Sequence, residues 1–167
     1  LEEFISSGER PMVLVGAGVG LAGVDKEVSQ WLDQSGIPFA TSWNATSFVD
    51  HNASGYCGNI GIYGNRGANF VLQNCDRLLV LGSRLDNRQR TGNASQFAPH
   101  AQICVIDIDP QELKKYSGTN YQSIHMNLAD LGQHLEHLTK INIQTVWSEY
   151  ICEIKSRYFQ KAFSSYA

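Results

Sequence analysis

The sequence predicts a single α/β domain with a doubly wound parallel sheet, and three observations support this. Its 167 residues match the size of one ordinary domain. Short apolar runs alternate with helical patterns along most of the chain, which is the order that builds a parallel sheet. The runs at 13–15 and 78–81 are apolar at consecutive positions, as strands buried on both faces require.

Five strands are expected where apolar residues run for several positions and end at a turn. They cover residues 11–16, 37–42, 77–82, 103–109 and 121–126. The helix between the first two strands has one apolar face, and Gly36 followed by Pro38 is a typical end for it. That face is formed by Val24, Val28, Trp31, Leu32 and Ser35.

Three further helical segments are expected, each marked by spaced apolar residues. The second helix carries Phe70, Val71 and Asn74. The third has leucines at helical spacing, namely Leu128, Leu131, Leu135 and Leu138. The last stretch, which we interpret as a long helix or a linker, repeats every four residues at Val146, Tyr150, Ile154 and Tyr158.

Composition excludes several classes of protein. A net charge of −3 lacks the basic excess of nucleic-acid binders, and no apolar run approaches the roughly 20 residues that span a bilayer. We therefore expect no nucleic acid and no membrane as partners and, without a secretory signal, a cytoplasmic protein. The cysteines contain no C-x-x-C pair and are expected to be reduced, mostly packed thiols: Cys57, Cys75, Cys104 and Cys152.

The first strand ends in the glycine-rich segment VGAGVGLAG. Its glycines allow a tight turn and a close approach of backbone N–H groups to a phosphate. The alternative, which stays open, is a turn needed only for close packing of helix on strand. The second strand ends in Thr41 and Ser42, without the acidic residue that holds a ribose in usual NAD sites.

Arg84, Arg88 and Arg90 follow the third strand within seven positions, together with Asp86. Arginines there can bind phosphates through charge-assisted hydrogen bonds. The alternative is that Asp86 pairs with one arginine on a solvated surface, worth roughly 0–1 kcal/mol. The position favours a ligand site, because ligands bind at the carboxyl ends of parallel strands.

The fourth strand ends in Asp107 and Asp109, followed by Pro110. We assign Asp109 to the N-cap of the next helix and Asp107 to a ligand. The histidines lack metal-ligand spacing, and no nucleophile elbow, Cys–His pair or general acid–base pair is found. The sequence thus predicts a domain that binds a ligand and has no catalytic or metal-ligating residues.

The order of four segments over residues 10–140 resembles the central domain of thiamine-diphosphate-dependent enzymes, most closely that of acetolactate synthases. The segments are VGAGV, PFATS, GNIGIYGNRGANFVLQNCDRLLVLGSRLDNR and ICVIDIDPQEL. The resemblance implies a Rossmann-like middle domain at residues 1–140. Residues 141–167 then resemble a helical connector toward a C-terminal domain.

The resemblance also implies a three-domain parent that acts as a 2-oxo-acid carboligase or decarboxylase, a transferase or a lyase. Its N- and C-terminal catalytic domains would hold thiamine diphosphate and Mg²⁺, and the full-length enzyme would form a homo-oligomer. The Gly-Asp-Gly signature of those sites is missing from these 167 residues. We therefore expect this segment alone to be non-catalytic.

In the flavin-containing branch of the family, the central domain holds FAD in an extended pose. Carried over by position, the dinucleotide backbone would meet Gly16, Ala17, Gly18, Thr41 and Ser42, and the ligand would pack along Gly61, Ile62, Tyr63 and Gly64. The diphosphate and ribityl portion would meet Gly82, Ser83, Arg84, Asp86 and Arg88. Asp107 and Ile108 would meet the adenosine.

Because of two departures from the family pattern, three alternatives stay open: the domain binds FAD, binds ADP or binds no nucleotide. Tyr63 stands where flavin-binding members usually carry His, and Met126-Asn127-Leu128 replaces a usual Gly-Asp-Ala, which could crowd an adenosine. A different class of function is a free-standing nucleotide-binding or regulatory module for ADP, FAD or NAD. A third alternative is an NAD-dependent deacetylase or dehydrogenase of similar topology. It is less favoured, because this sequence lacks the acidic residue that binds the ribose and the cysteines that bind zinc in such enzymes.

Overall fold

A six-stranded parallel sheet forms the centre of the molecule. The computed structural model describes residues 1–90, 92–116, 118, 120–135, 138 and 141–158. The strands are β1 (Pro11–Val15), β2 (Phe39–Thr41), β3 (Tyr56–Asn59), β4 (Arg77–Leu81), β5 (Gln102–Asp107) and β6 (Tyr121–His125). Their order is β3-β2-β1-β4-β5-β6, and every neighbouring pair is parallel, which confirms the predicted doubly wound fold.

Helices connect the strands. They are α1 (Glu2–Ser6), α2 (Gly18–Leu21), α3 (Asp25–Ser35), α4 (Arg66–Asn74), α5 (Asn87–Arg90), α6 (Pro110–Leu113), α7 (Leu128–Leu135) and α8 (Thr145–Tyr158). Short 3₁₀ segments cover Trp43–Phe48 and Ala94–Gln96. Gly36 ends α3 in the left-handed conformation, with φ of 67°, as predicted.

The five expected strands are all present, but β3 was not predicted. Its residues Tyr56–Asn59 include Gly58, at φ of 93°, and end in a polar residue, so they form no apolar run. It pairs only with β2 and lies at the edge of the sheet. The third predicted helix is shorter than expected, since α7 ends before Leu138.

Two apolar layers sandwich the sheet. Met12 and Leu14 of β1 face the layer covered by α4 and α8, whereas Val13 and Val15 face the layer covered by α3 and α7. Successive strand residues point to opposite faces, so both faces are apolar. This explains the runs of consecutive apolar residues in the sequence.

Helix α8 packs on the first of these layers. Of the two alternatives for this stretch, a helix or a linker, the structure shows a helix. Its buried residues are Trp147, Ile151 and Ile154, while Val146 is 75% exposed. The Lys155 ammonium also donates to the Ser54 carbonyl oxygen at 2.8 Å. No helix in the described ranges is both long and apolar enough to cross a membrane.

The burial of the cysteines confirms the prediction that most of the thiols are packed. Cys57, Cys75 and Cys104 are buried, Cys152 is exposed, and all four are free. Burial raises the pKa of Cys57 and Cys75 to about 12 and that of Cys104 to about 11. The buried thiols are therefore protonated near neutral pH.

Candidate functional site

A pocket of about 680 Å³ lies where the strand order reverses between β1 and β4. This switch point is the usual ligand site of open parallel sheets, because loops diverge there to opposite faces. The lining comes from loops that follow five of the six strands. It comprises Ala17, Gly18, Leu21, Ala22, Ser42, Asn44, Gly82, Ser83, Arg84, Asp86, Gln89, Asp107, Ile108, Asp109, Asn127, Leu128 and Ala129.

The glycine turn after β1 forms the floor of this pocket by close backbone contact. A Cβ at Gly16 would lie 2.2 Å from the Gly82 carbonyl oxygen, and one at Gly18 would lie 2.8 Å from the Gly82 Cα. The Gly16 N–H donates to the Leu81 carbonyl oxygen at 2.8 Å, and the Gly18 N–H donates to that of Gly82 at 3.0 Å. These glycines thus have a packing requirement of their own, and both N–H groups are already used.

The loop after β4 contains one strained residue, Leu85, and leads into a capped helix. Gly82 and Leu85 have positive φ, 58° and 45°, and Leu85 is fully buried. Asp86 Oδ1 accepts from the N–H groups of Arg88, at 2.8 Å, and Gln89, at 3.2 Å. Asp86 therefore caps α5, and no ion pair of the described residues includes it.

The three arginines of this loop point to different places. Arg84 is exposed and lines the large pocket, where it is the one cationic side chain among the described lining residues. Arg88 lies over the Trp43 ring, 5.5 Å from its centroid, and Arg90 lies 5.9 Å from the Tyr116 centroid. Both distances fit a cation–π contact.

The two aspartates at the end of β5 both line the pocket and differ in their hydrogen bonds. Asp109 Oδ1 accepts from the Gln111 N–H at 2.8 Å, which confirms it as the N-cap of α6. Asp107 is 9% exposed and lines the pocket, with Oδ1 accepting from the Asp109 N–H at 2.9 Å. Its other oxygen is the one that a ligand donor could approach.

A smaller hollow of about 20 Å³ lies beside the pocket and is lined by most residues of the loop between β3 and α4. Trp43 and Tyr63 stack at its rim with ring centroids 6.5 Å apart, and they are 50% and 78% exposed. Gln89 borders both the hollow and the pocket, and it is held by a 2.8 Å hydrogen bond from the Ser83 hydroxyl. The hollow thus continues the pocket, and its lining includes Ile62, Tyr63, Gly64 and Arg88.

Three predicted site residues line neither cavity. Gly16 lies under the floor, and Thr41 is fully buried, with its hydroxyl 3.4 Å from that of Tyr56. The Gly61 peptide is bound on both sides by the Asn69 amide, at 2.9 Å each. These residues shape the walls behind the site.

Sequence reasoning missed several lining residues. They are Leu21, Ala22, Asn44, Gln89 and Ala129. Asn127 and Leu128 were predicted only as residues that could crowd an adenosine, and they line the pocket because they follow β6 at the same sheet edge as the other predicted residues. Leu128 is 4% exposed and fills space beside Gly82.

Within the described ranges, no group of three or more His, Cys, Asp or Glu side chains converges where a metal ion could be held. One carboxylate oxygen each of Asp86 and Asp109 accepts a backbone N–H as a helix cap, and one of Asp107 accepts the N–H of Asp109. The Arg84 guanidinium and the free oxygen of Asp107 are suited to pair with anionic and hydroxyl groups of an organic molecule.

Comparison with known proteins shows the family to which this fold belongs. The family model described as "Thiamine pyrophosphate enzyme, central domain" matches residues 1–138. The large subunit of acetolactate synthase isozyme 2 from Escherichia coli (strain K12) is 30% identical over 157 residues, covering 93% of this chain and 28% of that protein. The acetolactate synthase large subunit of Parasynechococcus marenigrum is 30% identical over 163 residues, covering 93% and 26%.

A third relative matches a shorter part of the chain. The probable acetolactate synthase large subunit of Methanococcus aeolicus is 34% identical over 113 residues, covering 68% of this chain and 19% of the relative. The chain thus spans less than a third of the length of these curated relatives. The family model matches most of the chain, and the parallel six-stranded sheet is consistent with it. The chain therefore belongs to the family of thiamine pyrophosphate enzyme central domains.

Proposed function

We propose that this chain is the FAD-binding central domain of an acetolactate synthase-like 2-oxo-acid carboligase or decarboxylase. The observation that carries the proposal is the overlap of the switch-point pocket with residues that the family resemblance assigns to the flavin. Those shared residues are Ala17, Gly18, Ser42, Gly82, Ser83, Arg84, Asp86, Asp107 and Ile108.

The pocket fits the polar part of a dinucleotide. Among the described residues, the Arg84 guanidinium makes no hydrogen bond within the chain, so its donors are free for a diphosphate. Asp107 can accept from ribose hydroxyls, since a carboxylate is an acceptor only. The glycine turn contributes shape rather than phosphate donors, because the N–H groups of Gly16 and Gly18 are used.

The smaller hollow favours FAD over ADP. Trp43 and Tyr63 present exposed aromatic faces beside the pocket, with Arg88 against Trp43. An exposed aromatic pair is a suitable stacking surface for a flat ring. We therefore place Arg84 at the diphosphate and Arg88 at the ribityl and ring end of the ligand.

Thiamine diphosphate and Mg²⁺ belong, in this proposal, to the N- and C-terminal domains of a larger parent, which also bind the 2-oxo-acid substrate and form the homo-oligomer. When bound, thiamine diphosphate supplies the electron sink that this chemistry needs. Residues 1–140 form the central domain and 141–167 the connector. The chain alone is then non-catalytic; acetolactate formed from pyruvate, thiamine diphosphate and Mg²⁺ by the purified chain would contradict this.

The test is a titration of the purified chain with FAD and with ADP. We expect both to bind, FAD more tightly, and Arg84→Ala to weaken both at least about tenfold, as expected for lost hydrogen bonds to a charged group. Arg10→Ala is the matched control, because Arg10 precedes β1 at the opposite edge of the sheet. A wild-type chain that binds neither ligand overturns the proposal.

A further inference from the structure

The backbone at Arg84 is held by two side chains from the end of α6. The Arg84 carbonyl oxygen accepts from the Tyr116 hydroxyl at 2.9 Å and from the Lys115 ammonium at 3.1 Å. These residues lie 32 and 31 positions further along the chain. Neither lines the pocket that Arg84 enters.

The Arg84 peptide needs such support, because the backbone around it is unfavourable. Leu85, which follows Arg84 directly, adopts a φ of 45°, a region that non-glycine residues rarely occupy. A residue in such a conformation costs about 1–3 kcal/mol and persists only where its surroundings over-determine it. Burial of the Leu85 side chain supports one end of the turn, and the two hydrogen bonds to Arg84 support its middle.

Tyr116 is a rigid donor. It is 7% exposed, and its ring stacks on Tyr121 with centroids 5.5 Å apart. The Arg90 guanidinium lies against the same ring. Burial raises the pKa of Tyr116 well above its usual value, so the hydroxyl keeps its proton.

Lys115 is held in place as well. Its ammonium forms an ion pair with Glu112 in the preceding turn and lies 5.7 Å from the Tyr116 ring centroid. These contacts direct one ammonium donor at the Arg84 carbonyl. Lys115 also places a second positive charge behind the Arg84 loop.

We infer that Tyr116 and Lys115 are positioning residues that hold the Arg84 peptide so that the guanidinium faces the diphosphate of the bound nucleotide. The inference rests on the proposed function and adds residues outside the pocket to it. The hydrogen bonds from Tyr116 and Lys115 hold the Arg84 carbonyl oxygen in place. Without them, water would bind this oxygen and the turn at Leu85 could relax to a less strained conformation. The guanidinium is then pre-organised, which lowers the entropy lost on binding.

A double-mutant cycle tests the inference with ADP as the probe. We expect Tyr116→Phe to raise the Kd about three- to tenfold, in line with one lost hydrogen bond. In the Arg84→Ala background the same change should alter the Kd less than about twofold, since Tyr116 acts through Arg84. Lys115→Met serves as a second variant with the same expectation.

Tyr121→Phe is the matched control. Tyr121 stacks on Tyr116, and its hydroxyl has no hydrogen-bond partner among the described residues, so the change removes a hydroxyl without removing a hydrogen bond. It should leave the Kd unchanged. In the ligand-free chain, Tyr116→Phe should also speed amide hydrogen exchange at residues 85–90, and Tyr121→Phe should not.

The outcomes separate the inference from the proposed function. If the wild-type chain binds ADP and Arg84→Ala weakens binding, but Tyr116→Phe and Lys115→Met change neither Kd nor exchange, only the inference is overturned. Equal effects of Tyr116→Phe with and without Arg84 overturn it as well. If the wild-type chain binds neither ADP nor FAD, the proposed function fails and the inference falls with it.

Discussion

The indole N–H of Trp147 donates a hydrogen bond of 3.1 Å to the carbonyl oxygen of Pro11, 136 residues earlier in the chain. Trp147 is 2% exposed, and its ring stacks on Tyr150 with centroids 5.4 Å apart. The segment that we propose as a connector is therefore anchored to the first strand of the sheet. Helix α8 of this segment contributes to the domain core.

Trp147→Phe is expected to lower the free energy of unfolding by about 1–3 kcal/mol, because it leaves the buried Pro11 carbonyl without its donor. Urea denaturation measures this. Val146→Ala is the neighbouring control: at 75% exposure it should change stability by less than about 0.5 kcal/mol. Equal stability of the two variants would mean that α8 is not docked in solution.

Gly16→Ala is expected to destabilise the domain by about 1–3 kcal/mol or more, since its Cβ would lie 2.2 Å from the Gly82 backbone oxygen. The comparison is Gly92→Ala, where a Cβ meets nothing within 4 Å and stability should stay within about 0.5 kcal/mol. Thermal or urea unfolding of both variants measures the change in the free energy of unfolding. A neutral Gly16→Ala would show that the β1 and β4 loops separate readily.

Trp43→Ala is expected to weaken FAD binding about fivefold or more, in line with the loss of one stacking face. Arg88→Ala, which removes the cation over that ring, should act in the same direction. The Kd for ADP should change less than twofold in both, because ADP lacks the isoalloxazine ring that we assign to the hollow. Equal losses for ADP and FAD would contradict the assignment of the hollow to the ring.

Stability is expected to fall as the pH rises above about 9. The folded-state pKa of Cys57 and Cys75 is raised to about 12 from an ordinary 9.0, and that of Cys104 to about 11. Above pH 9 the unfolded chain releases thiol protons that the folded chain keeps, so the stabilisation present below pH 9 is lost as pH rises toward 11–12. Each thiol contributes up to about 1.4 kcal/mol per pH unit.

Urea denaturation between pH 7.5 and 10.5, about the range in which these thiols begin to titrate, measures this slope. Cys75→Ala removes one buried thiol and should make the dependence shallower. Cys152→Ala, at the exposed thiol, is its control and should keep the wild-type slope. Identical slopes in all three proteins would contradict the prediction.

Position along the chain and the family resemblance together predicted much of the lining of the pocket. Ala17, Ser42, Arg84 and Asp107 each lie at or just after the end of a predicted strand, and the carboxyl ends of parallel strands meet at one edge. By contrast, β3 contains Gly58 and ends in Asn59, and it is recognised only through its pairing with β2. Short edge strands without an apolar run carry little local signal.

The arginines show why the rest required the fold. Arg84 and Arg88 are four positions apart, but the positive φ at Leu85 and the start of α5 lie between them, so they enter different cavities. The fold class and the edge that collects ligand-binding residues follow from local pattern, because apolar periodicity and strand ends are properties of short segments. The packing role of Gly16 and the direction of Arg84 depend on Gly82 and Tyr116, which are remote in sequence and come close only when the sheet is assembled.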